Sequence, residues 1–269
     1  MTSVTTEGPG AAAGSPAAPA AGDLAVLTSR LGDDALVLGQ RLCQWITRAP
    51  TIEEDLALSN IALDLIGHAR ALLTLTGRLD GTGRSEDDFA FGRSDREFGN
   101  CLLTELPGGD FAVTIARQLV YSHYAVLYYE GLATAAEAEL AGFAARAAKE
   151  VDYHRRHADG WTVRLGLGTA ESARRMQAGL DRVWPYTGEL FAADDVVARL
   201  AAAGTAAPPA ASQGEWRERV GAVVRHAGLA LPTPDWQAAG GRSGLHSEEF
   251  GPLVAELQSV RRQFPGGNW

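Results

Sequence analysis

Residues 149–157 read Lys-Glu-Val-Asp-Tyr-His-Arg-Arg-His, two histidines and two carboxylates within one short stretch. A helical set of metal ligands has the same look, because side chains three or four apart project from one helix face and can reach a common ion. His68 and His154 each follow an acid by four positions, Asp64 and Glu150, a spacing also used by zinc proteases. One chemistry open to these four is a mononuclear metal centre, making the chain an independent metal-dependent oxidase or hydrolase. The other reading is a pair of core histidines satisfied by hydrogen bonds. No Ser-His-Asp order, phosphate-cradling glycine loop or dinucleotide fingerprint competes with them.

The choice depends on the elements that position these side chains. Apolar residues at Leu31, Ala35, Leu38, Leu42 and Trp45 make one helical stripe that ends before Pro50. Thr51, with Glu54 three positions on, predicts a capping box for a second helix to about Leu79, whose stripe is Leu58, Ile61, Leu65, His68, Leu72 and Leu75. After a Gly/Asp-rich break the period returns from Phe111, with Ile115, Leu119, Ser122, Val126 and Tyr129. A fourth helix carries Phe143, Ala147, Val151, His154, Ala158 and Trp161. Later segments predict a helix over 171–199 interrupted at Pro185, another over 213–227, and a last one opened by Ser247. The fold expected is all-α: a ferritin-like four-helix bundle with additional C-terminal helices, one domain over 23–269.

Ferritin-like bundles that activate dioxygen supply one acid from each of two helices and Glu-x-x-His from each of the other two. Here the two stripe histidines are His68 and His154, and three positions before them stand Leu65 and Val151. The partner stripes offer Ala35 and Ser122. Hard oxygen donors are needed to neutralise and bridge two irons, and none faces this core. At about 100° per residue, Asp64 lies roughly 80 to 100° from the centre of its stripe and Glu150 nearer the edge of its own.

Composition narrows the function classes. The chain has 269 residues, 46% hydrophobic and 21% charged, with net charge -9, which disfavours nonspecific binding to nucleic acid or an anionic membrane. Cys43 and Cys101 stand far apart in apolar segments and read as buried thiols in a reducing, cytoplasmic setting. No stretch approaches the ~20 uninterrupted apolar residues of a membrane span. Residues 1–22, rich in Ala, Gly and Pro, lack the charged start and apolar stretch of a signal peptide and read as a disordered tail.

Four segments carry a resemblance: RLGDDALVLGQRLCQWITRAPTIEEDLALSNIALDLIGHARALL, KEVDYHRRHADGW, GGRSGLHSEEFGPLVAELQ and the closing FPGGNW. From about Leu27 to Trp269 the chain resembles the C subunits of bacterial phenylacetyl-CoA epoxidase complexes, also called ring-1,2-phenylacetyl-CoA monooxygenases. The resemblance implies association with a catalytic A subunit of similar fold that holds di-iron and the CoA thioester, with a reductase supplying electrons, and no cofactor in this chain. The A subunit is also similar at Trp45 to Thr51, at Gly67-His68 and at Lys149-Glu150 with His154 following. Carried over one at a time, with no gap back from Trp45, its first-helix glutamate falls on Ala35. Its second-helix Glu-x-x-His falls on Leu65 and His68, its third-helix aspartate on Ser122, and its fourth-helix Glu-x-x-His on Val151 and His154. All four acids are replaced and both histidines kept. The implied role is a non-catalytic structural subunit in aerobic phenylacetate breakdown.

Three further features stand beside that reading. The loop Gly-Gly-Arg-Ser-Gly-Leu-His-Ser-Glu, with Arg242 and a helix start at Ser247, could hold an anion such as a CoA phosphate of the partner's substrate or be an ordinary capped loop. Tyr121, Tyr124, Tyr128 and Tyr129 suit an interface core or the bundle core, the two readings standing level for those off the Ser122 stripe. Arg155 to His157 read as a solvated face or as ion-pair partners of nearby acids, while His123 and His226 carry no motif.

Overall fold

Thr51 opens the second long helix as its spacing predicts, its hydroxyl accepting a hydrogen bond from the Glu54 backbone N–H at 3.4 Å. The return half of the box is absent, because the Glu54 carboxylate instead meets His157 Nε2 at 2.8 Å. In the computed structural model, which describes residues 21–267, every regular element is helical. The four long helices are α1 (Ala21–Cys43), α2 (Ile52–Leu79), α5 (Phe111–Leu132) and α6 (Ala138–Gly166). Between the two pairs lie α3 (Glu86–Phe91) and α4 (Leu102–Glu105). They are followed by α7 (Ala170–Val183), α8 (Asp195–Ala202), α9 (Gln213–His226), α10 (Phe250–Leu257) and α11 (Ser259–Gln263).

The short loops joining α1 to α2 and α5 to α6 make two antiparallel hairpins, and α2 meets α6 between them. This is the all-α bundle with added C-terminal helices, consistent with a ferritin-like arrangement. One apolar core runs from Leu24 on α1 to Val254 on α10. The later helices wrap it: α7 and α9 cover α5 and α6, and α8 lies on α1. Trp216 of α9 anchors that layer by donating its indole N–H to Val120 O at 2.9 Å. As a result α5 is buried on nearly every side.

Three boundaries differ from the sequence reading. The tail assigned to residues 1–22 lies outside the described residues up to position 20, but Ala21 and Gly22 already form the first turn of α1. The helix over 171–199 is two helices, with 3₁₀ turns at Trp184–Tyr186 and Gly188–Phe191 between them, because Pro185 cannot supply the N–H that a continuous helix needs. The last helical segment starts at Phe250 rather than Ser247, since the Ser247 N–H is drawn to Glu105.

By length and apolar composition, α2 alone among the described helices could cross a membrane. Its inner face is packed in the core, however, and 44% of its most apolar stretch is buried. Its outward face is also apolar: Ile52, Leu56, Leu63 and Ile66 are 72%, 61%, 64% and 39% exposed and share one stripe at 100° per residue.

Candidate functional site: a histidine–carboxylate seam between two helices

Ala35, Leu65, His68, Ser122, Val151 and His154 are all buried, as their places on the stripes require. The Ser122 hydroxyl is turned onto its own helix, donating to Gln118 O at 2.6 Å. Leu65 and Val151 bring only methyl groups. The His68 ring sits edge-on to Tyr129 and Phe143, with centroids at 6.1 and 5.5 Å.

Both histidines point their Nε2 atoms across the α2–α6 boundary. His68 Nε2 lies 2.6 Å from Glu150 Oε2, and His154 Nε2 lies 3.0 Å from Asp64 Oδ2. Each acid therefore serves the histidine of the other helix, not the one four residues along its own. His157 with Glu54 extends the seam on one side. His123 of α5 meets Asp159 of α6 at 2.8 Å across the separate α5–α6 boundary, a partnership its sequence context did not signal. The pairing holds because Asp64 and Glu150 stand at the seam's mouth, 39% and 47% exposed, where water still solvates their charge.

The buried Nδ1 atoms of His68, His123 and His157 have no hydrogen-bond partner among the described residues. For His68, with Nε2–H donating to Glu150, Nδ1 carries only a lone pair, and this suits a neutral ring, not an imidazolium. Burial accordingly lowers the His68 pKa, against the pull of Glu150. The hydrogen bond from His154 holds the Asp64 carboxyl below its ordinary range.

These residues do not fit a dinuclear iron group. Four of the six positions offer no anionic oxygen, and both imidazoles spend Nε2 on hydrogen bonds. A mononuclear set is not assembled either: among the described residues, no three or more His, Cys, Asp or Glu side chains converge on a common point suited to a metal. A depression of about 280 Å³, lined by Asp64, His68, Phe143, Arg146 and Glu150, exposes the seam to solvent.

The loop at 239–249 does hold anions, but they are the chain's own. Glu189 accepts from the backbone N–H groups of Leu102, Gly240 and Arg242 at 2.7, 3.0 and 3.2 Å. Glu105 accepts from Ser247 N at 2.6 Å and pairs with His246 Nδ1 at 2.8 Å. The Arg242 guanidinium clasps Asp34 through Nη1 and Nη2 at 3.0 and 2.7 Å. Burial alone would lower its pKa, and the Asp34 carboxylate raises it instead. Neighbouring Asp33 is paired with Arg93. The Arg242 side chain and the Ser247 backbone N–H are thus committed inside the fold, while the buried Ser247 hydroxyl has no partner among the described residues.

The four α5 tyrosines are buried, because the later helices cover the face that the sequence leaves open to an interface. Cys101 is buried, Cys43 partly so, and both are free thiols. The Arg-Arg-His stretch supplies ion pairs, Arg155 to Asp152 and Asp159 and His157 to Glu54.

The model of the family described as phenylacetic acid catabolic protein matches residues 12–269. The C subunit of the 1,2-phenylacetyl-CoA epoxidase of Escherichia coli (strain K12) is 43% identical over 246 residues, 91% of this chain and 99% of that protein. A match over nearly the whole of both chains, running through the stripe and seam residues alike, places this protein: it belongs to the phenylacetic acid catabolic protein family.

Proposed function

We propose that the chain is the non-catalytic structural subunit of a phenylacetyl-CoA epoxidase, a multi-subunit monooxygenase of phenylacetate breakdown. It would support a di-iron catalytic subunit in the cytoplasm while a reductase supplies electrons. The carrying observation is the seam itself: four of the six metal positions of an oxygenase bundle hold Ala35, Leu65, Ser122 and Val151, and His68 and His154 are bonded to rim carboxylates. The near full-length likeness to the C subunit of an epoxidase supports the same reading. So does the row of exposed apolar side chains on α2, since large apolar groups gathered on one exposed face favour association. Losing the iron leaves such a surface intact, because burial across it depends on the helices.

The test is elemental analysis of the full chain expressed alone in iron- and zinc-replete medium, followed by co-expression with the catalytic subunit. Negligible metal and a stable complex with epoxidase activity absent from either chain alone support the proposal. Stoichiometric metal that disappears on replacing His68 and His154 overturns it.

A further inference from the structure

Where α1 and α5 meet the turn at 188–194 and the C-terminal loop, the fold leaves a half-enclosed cleft of about 200 Å³. Leu27, Leu31, Leu190 and Val197 form most of its apolar wall. Tyr124 and Tyr128 also line it, only 2% and 6% exposed, with rings stacked at 5.5 Å. Neither phenol hydroxyl hydrogen-bonds to any group among the described residues. Both hydroxyl oxygens stay within reach of water in the cleft, and two such groups side by side on one cleft wall offer a polar contact to a guest that displaces that water.

The charges around the cleft define what that ligand is. Arg30 is paired with Asp194 at 2.5 Å and Arg242 with Asp34 at 2.7 Å, and both Glu189 oxygens accept backbone N–H bonds. With both arginines paired and both Glu189 oxygens already taken by backbone N–H groups, an ionic guest would find no free partner for its charge, which is costly in so apolar a space. A cavity of about 150 Å³ accommodates a benzene-sized molecule, so about 200 Å³ suits one ring with a short substituent. We propose that this cleft binds a neutral, single-ring organic molecule bearing one polar group, its ring against Leu27 and Leu31 and its polar atom on the Tyr124 and Tyr128 hydroxyls. The site lies within this chain and is independent of the scaffold reading above.

The experiment is calorimetric titration of the full-length protein with phenol and with toluene, paired with crystals soaked in phenol. Saturable binding of both is expected, with phenol favoured about fivefold by its hydrogen bond and seated between the two tyrosines. The double variant Tyr124→Phe, Tyr128→Phe should keep toluene binding and erase the preference for phenol. Filling the cleft by Leu31→Trp should weaken both at least roughly tenfold. Should that variant fail to fold, Val197→Trp at the rim takes its place. No saturable binding of either probe, ordered water alone in the soaked crystals, or phenol affinity unchanged in the filled variant would overturn the proposal.

Discussion

His68 and Glu150 are joined across the α2–α6 boundary at 2.6 Å, one ring 4% exposed and its carboxylate 47% exposed. A buried ring thus meets a hydrated acid, and the boundary between them runs through a single hydrogen bond. Since Nδ1 lies buried without an acceptor, protonation would strand an N–H in an apolar setting.

His68 should therefore titrate below the ordinary 6.5, the direction that burial sets against Glu150. For a depressed value, the unfolded chain binds the proton first. The contribution to stability is complete above pH 6.5 and is lost as pH falls through the folded value. Ring-resonance titration by NMR gives the pKa, and a value above 6.5 would contradict the neutral tautomer.

His246 behaves in the opposite sense. Its Nδ1 meets Glu105 at 2.8 Å and its Nε2 donates to Phe98 O at 3.0 Å, so both nitrogens carry protons. Burial opposes the charge, but Glu105 raises the pKa overall. The stabilisation is then complete below pH 6.5 and fades as pH rises through the raised value. His246→Ala should cost about 1.5–3 kcal/mol at pH 6 and less at pH 9, measured by urea denaturation at each pH. Equal losses at both would rule out a charged ring.

Arg242→Ala should be among the most damaging single changes outside the apolar core. It leaves fully buried Asp34 without its counter-charge, a loss of about 3–5 kcal/mol. Gly244→Ala in the same loop should cost more than about 1 kcal/mol. Its φ of 75° disfavours any side chain, and a Cβ there would collide with Arg96 O. Denaturation midpoints at constant slope decide both.

Arg117 gives the reverse expectation. It is 1% exposed, donates to Leu106 O through Nη1, and has no partner for Nε or Nη2 among the described residues. Burial, with Arg41 and Arg182 nearby, pushes its pKa down to about 9. Arg117→Met removes a desolvated charge at similar volume and should be neutral or stabilising by about 1–4 kcal/mol. A drop in melting temperature would show that the hydrogen bond to Leu106 outweighs the cost of the desolvated charge.

The outer row of α2 should matter only in the assembly. Leu56→Glu with Leu63→Glu places charge at positions 61% and 64% exposed. The isolated chain should lose less than about 0.5 kcal/mol, while, on the proposed function, affinity for a catalytic subunit falls at least roughly tenfold. Unchanged co-purification would move the interface elsewhere.

The long helices were legible in the sequence because their apolar spacing is regular, and the stripes placed Ala35, Leu65, Ser122 and Val151 correctly in the core. The side position of Asp64 was legible as well, since helix geometry alone fixes its angle. Its partner was not: His154 lies 90 residues away, and only the crossing of α2 with α6 brings the two together. Asp33 and Asp34 show the same limit, for nothing local distinguishes a solvated acid from one buried against Arg93 and Arg242. The tyrosines of α5 stayed undecided between core and interface for a related reason, because the helices that cover them come later in the chain.

The carboxylates seated in the C-terminal loop act as tethered competitors. Glu105 and Glu189 are joined covalently to the scaffold beside the N–H groups they occupy, so their effective concentration there is high and cannot be diluted. A phosphate arriving from solution would have to displace a neighbour that never leaves, and raising its concentration would merely reopen a contest that the chain's own connectivity has already settled.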